Sequence, residues 1–103
     1  MTIVDIDFAL EGALENISIG IDALRERDVG VAHLSRDIVV EALENAVAAL
    51  EDDGAYVGFL LSAADLLRTT MGKANLPDGM VWAHLLSAGV LIRAAQTVKA
   101  TQQ

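Results

Sequence analysis

Glu11 and Glu15 are four residues apart and Glu41 and Glu44 three, so each pair would project from one face of a helix. Paired carboxylates on two helices are the raw material of a di-metal site, which in helical bundles also calls for Glu-x-x-His pairs on the facing helices. The chain contains no Glu-x-x-His. Each acidic pair also lies beside or opposite the apolar arc of its own helix, so these side chains are expected in solvent, with no metal and no other cofactor. The absence of cysteine removes thiolate chemistry and any disulfide framework. No phosphate-binding glycine loop, zinc spacing or nucleophile–base pair is present. His84 falls in the most apolar stretch of the chain, where a hydrogen-bonded core or interface histidine is the common outcome. With Tyr56, Trp82 and Arg93 it forms a candidate ligand pocket, within or between chains. Arg93 is a charge in an almost wholly apolar segment and therefore needs a partner, either Asp65 or a carboxylate of a second chain.

Arg27 and Asp28 are followed after four residues by His33. The pattern resembles the Arg-x4-6-His signature, with a polar residue after the arginine, of the HEPN ribonucleases, whose domains are all-helical. The resemblance covers seven residues and implies Arg27 and His33 as a ribonuclease pair. It joins the first two helices here, whereas in that family the motif tends to lie late in the domain.

The elements that would position these residues are helical. The stretch Leu76 to Val98 has almost no polar face, and Pro77 with Asp78 supplies a helix start: a fixed φ, no N–H left over, and a negative charge beside the first amides. A helix over 77–99 that is apolar nearly all round should be buried and central. Its uninterrupted apolar run, Met80 to Ile92, falls short of the roughly 20 residues of a bilayer span, so no membrane is expected. Residues 5–27 show a ridge of Ile6, Leu10, Leu14, Ile17, Ile21 and Leu24, an acidic stripe with Glu11, Glu15 and Asp22, and a small-residue face of Ala9, Gly12, Asn16, Gly20 and Ala23. Two glycines inside a helix cost about 2 kcal/mol relative to alanine, which a close helix crossing would offset. Asp28 and Gly30 mark a turn, and a second helix over 31–52 carries an apolar arc of about 200°. Glu51-Asp52-Asp53-Gly54 is an acidic turn with Asp52 or Asp53 as cap, and a third helix covers 55–71. The expected fold is all-α, one domain over 1–103, a compact bundle of about four helices.

Charge and apolar area suggest function. Residues 1–53 hold 13 acids against three arginines, a net of −10, while the remainder nets +2. Such a surface repels phosphate backbones, so direct nucleic-acid binding is disfavoured. The start Met-Thr-Ile-Val-Asp-Ile-Asp lacks the basic and apolar succession of a secretory signal, and the expected location is the cytoplasm. The leading expectation is a non-enzymatic regulatory or inhibitory module that meets a basic protein surface through Glu11, Glu15, Asp22, Glu41 and Glu44. In surface character, though in no motif, this resembles acidic immunity proteins and phage-encoded inhibitors. The alternatives are an assembly subunit, a small-molecule- or nucleotide-binding helical protein, and the HEPN-like ribonuclease. Apolar area in excess of a single bundle's needs predicts a dimer or higher oligomer, through Ala9, Gly12, Asn16, Gly20 and Ala23 first and Trp82 with Leu86 second.

Overall fold

A computed structural model describes residues 5–50, 54–72 and 76–101 of the chain. They form four helices: α1 (Ile6–Arg25), α2 (Val29–Ala49), α3 (Ala55–Arg68) and α4 (Asp78–Thr101). The helices start where side chains or main chain can satisfy the first free amides. The Asp5 carboxylate accepts from Phe8 N at 3.1 Å and the Asp28 carboxylate from Val31 N at 3.2 Å. Pro77 stands one residue ahead of α4, and its carbonyl accepts from Met80 N at 2.9 Å. The anticipated Asp52 or Asp53 cap lies outside the described residues.

The first reversal differs from the sequence expectation. It occupies Glu26 and Arg27, with Arg27 in the left-handed region at φ 61°, and Gly30 lies inside α2. Asp28 decides this, because its capping carboxylate starts a helix immediately after it and leaves the glycine no turn to make. The α3 C-terminus also comes earlier than expected, at Arg68, since the hydroxyls of Thr69 and Thr70 bond back to the carbonyls of Leu66 and Leu67 and Gly72 adopts φ 73°. At the far end α4 continues through Thr101, past the expected limit of residue 99.

Each helix packs against its neighbour in the chain, and α4 closes the ring on α1. Along that closing seam Asp7 meets Lys99, Glu11 meets Gln96, Ile17 lies by Gly89 and Gly20 by Leu85. Numbers rise on one helix as they fall on the other, so the two run antiparallel. The core is built by large residues at helical spacing, Leu10, Val39, Leu43, Leu60, Leu67, Val81, Leu85 and Ile92, all essentially without exposure.

Burial of α4 is one-sided. Val81, Leu85, Ala88, Ile92 and Ala95 enter the core, whereas Met80, Trp82, Leu86 and Val90 remain exposed. The expectation of a helix wrapped on every side is met on one face only, because the ring gives each helix two neighbours. By length and composition α4 could cross a membrane, and a bundle's core helix passes the same test.

Candidate functional site

Gly20 shows how α1 and α2 are brought together. A Cβ there would stand 3.2 Å from Ser35 Cβ and 3.2 Å from Leu85 Cδ1, so the bare glycine permits a close three-helix approach. Gly20 and Ala23 are buried by the chain's own helices, and this corrects their assignment to an oligomer contact. Gly12 behaves differently, with nothing within 4 Å of an added Cβ. Asn16 is half-buried and donates to the Gly12 carbonyl of its own helix at 3.0 Å, and Ala9 is half-buried beside the same edge.

Because α1 docks on α2 through its small residues, the two acidic stripes turn apart. Glu11 accepts from Gln96 at 3.1 Å, Asp22 pairs with Arg25 at 3.5 Å, and both flank the seam with α4. Glu44 pairs with Arg68 at 3.1 Å across the seam with α3, and Arg68 also pairs with Asp65. The single acidic face expected of the first two helices therefore does not form. Glu15, Glu26 and Glu41 are exposed, and their carboxylates have no ion pair among the described residues.

What the diverging stripes expose between them is apolar. On the outer side of the α1–α2 pair, Ile19, Val31, Leu34 and Ile38 are exposed near the reversal, Leu34 to 60%, and Phe8 further along α1 to 78%. Helical phase sets Glu15 along the α1 border of this patch and Glu41 along its α2 border, and Glu26 caps α1 at the reversal beside it. An apolar centre with a charged rim is the usual anatomy of a protein interface.

The four residues of the expected ligand pocket are not brought together. Tyr56 is buried at one end of the bundle, its ring 5.4 Å below the Lys99 ammonium. Trp82 lies toward the opposite end of α4, roughly 25 Å from Lys99 at the helical rise, over a shallow hollow with Leu24, Arg25, Asp78 and Gly79. His84 is half-buried, and its Nδ1 lies 2.7 Å from the Met80 carbonyl, to which it donates as Nδ1–H. Arg93 does not reach Asp65, which is taken by Arg68. It lines a groove of about 390 Å³ between α1 and α4, floored by Ile17 and Gly89 and walled by Leu14, Ile21, Leu86 and Val90. Its guanidinium makes no ion pair among the described residues.

Two polar features were missed in the sequence. Arg36 is only 6% exposed, and its place on the arc of Ala32, Val39, Val40 and Leu43, three, four and seven residues away, was the available signal. Tyr56 has a buried hydroxyl with no hydrogen-bond partner among the described residues. Burial raises its pKa, against a lowering by Lys99, while Lys99 is itself raised, chiefly by its hydrogen bond to Asp7.

Arg27 and His33 share no side-chain hydrogen bond among the described residues, and the Asp28 carboxylate between them is engaged in capping. No group of three histidine, aspartate or glutamate side chains comes together to hold a metal ion among the described residues. No protein-family model, curated protein or solved structure matches the chain.

Proposed function

We propose that the chain is a regulatory or inhibitory protein-binding module whose α1–α2 face docks on a basic partner carrying an apolar centre. The observation that supports this most directly is the exposed patch of Ile19, Val31, Leu34 and Ile38 bordered by the unpaired carboxylates of Glu15, Glu26 and Glu41. An isolated bundle gains nothing from holding Leu34 in water, since burying a leucine side chain is worth roughly 1.5–3 kcal/mol. A rim of uncompensated acids disfavours a like-charged copy of the same face and favours cations opposite it. Of the five acids first considered, Glu15 and Glu41 border the patch, while Glu11, Asp22 and Glu44 are engaged with Gln96, Arg25 and Arg68.

Affinity capture from the native host tests the proposal, with bound proteins identified at low and high salt. A basic partner retained by the native chain should be lost on Leu34→Ser and weakened on Glu26→Lys with Glu41→Lys, with the second loss mimicked by salt. A partner indifferent to both changes would remove the proposal.

A further inference from the structure

We propose that the chain pairs with a second copy of itself through its α1–α4 face, Arg93 of each copy meeting Glu15 of the other. The face is self-complementary in charge and in shape. Arg25, Arg93 and Lys99 all lie along this seam, so the acids of α1 are largely balanced here, unlike on the α1–α2 side. Arg93 and Glu15 have no ion pair among the described residues, and neither does Glu11, which accepts from Gln96 instead. Helical phase sets Glu15 on the crest of α1, next to Asp22, where this face meets the α1–α2 patch. They stand at nearly the same level of the bundle, because Gln96 of α4 is opposite Glu11 and Leu14 shares the groove wall with Arg93.

Shape follows the same rule. Val90 is 67% exposed and stands at the rim of the groove, which stays open because two of its lining residues, Gly89 and Ser18, bring almost no side chain to it. A two-fold axis lying in the contact plane along the helices sets α4 of one copy over α1 of the other at the same level. Each Val90 then enters the other copy's groove, and each Arg93 reaches the other's Glu15, as an isologous contact requires. The molecule measures 41 × 28 × 21 Å, so a long face is large enough in outline to hold the roughly 800 Å² per partner of a stable interface.

Sedimentation and a charge exchange test this. The native chain, 10.9 kDa as a monomer, should sediment as a dimer at about 50 micromolar, a concentration that populates complexes of micromolar Kd. Arg93→Glu and Glu15→Lys should each raise the dimer Kd at least about tenfold, as expected for a reversed charge pair occurring twice. Mixing the two variants should restore dimers, since each chain then offers the charge the other lacks; a pair within one chain could not be restored by mixing. Leu34→Ser, on α2 and away from this face, should leave association unchanged. A compact native monomer overturns the proposal, including one whose groove instead takes up the fluorescent apolar anion anilinonaphthalene sulfonate. So does a dimer that ignores both charge reversals, which would place the contact on another face.

Discussion

The Arg36 guanidinium, on α2, donates through Nη1 to the main-chain carbonyl of Thr70 at 3.0 Å, two residues beyond the end of α3. Its Nε and Nη2 both reach Asp37 Oδ1, at 3.0 and 2.9 Å. A cation thus sits where the α3 dipole is negative, and a buried carbonyl that α3 itself leaves unpaired is satisfied from a different helix.

Arg36→Leu should destabilise the fold by about 2 kcal/mol, because the Thr70 carbonyl would stay buried without a donor. Arg36→Lys should recover only part of this, since an ammonium cannot span the carbonyl and the carboxylate as a planar fork does. Urea midpoints of the three proteins, in the order native, lysine, leucine, are the check.

The two glycines of α1 should respond in opposite directions. Gly12→Ala adds a methyl group that meets nothing within 4 Å, and should stabilise the protein by about 0.8–1 kcal/mol through helix propensity. Gly20→Leu drives a side chain into Leu85 and Ser35 and should cost about 1–3 kcal/mol or more through overpacking. Loss of stability in both, or in neither, would contradict the packing described for α1.

Tyr56→Phe removes a buried hydroxyl that has no partner among the described residues. Burying such a group costs about 1–3 kcal/mol, so the substitution should leave the melting temperature unchanged or raise it. Most buried tyrosines hold a hydrogen bond and lose stability on the same change.

The Tyr56–Lys99 end of the bundle should also fix the alkaline limit of the fold. Both groups have raised pKa values in the folded chain, Tyr56 mainly from burial and Lys99 mainly from its bond to Asp7. The folded state then holds more protons than the unfolded state above a pH of about 10, so the stability present below that pH is lost as pH rises through the raised values. Thermal melts from pH 8 to 12 should fall more steeply for the native protein than for Tyr56→Phe or Asp7→Asn.

Apolar periodicity made the four helices legible in the sequence, as did the punctuation of Pro77 ahead of α4. The faces were not legible to the same degree. Periodicity says which side of a helix is acidic, but which neighbour lies alongside depends on how the helices dock. Here Gly20 and Ala23 decide it by drawing α2 close, and so Glu11 looks toward α4 while Glu44 looks toward α3. For the same reason a helix as apolar as α4 has an open side, and Tyr56, Trp82 and Arg93 fall at separate places. By residue type Arg36 belongs with the surface charges, but its position on the arc of Ala32, Val39, Val40 and Leu43 buries it.

The ring of antiparallel neighbours has a kinetic consequence. Contacts between successive helices join residues close in sequence, whereas the closing seam joins Glu11 to Gln96 and Asp7 to Lys99, 85 and 92 residues apart. Loop closure over that distance costs more entropy than closure between successive helices, and the seam is rimmed by exposed polar pairs, so it is expected to form late, on the native side of the folding barrier. Lys99→Ala should accordingly accelerate unfolding while refolding proceeds at the native rate. In stopped-flow measurements the unfolding arm of the chevron would rise and the refolding arm would superimpose, and the protein's lifetime in the folded state would be set at the α1–α4 seam.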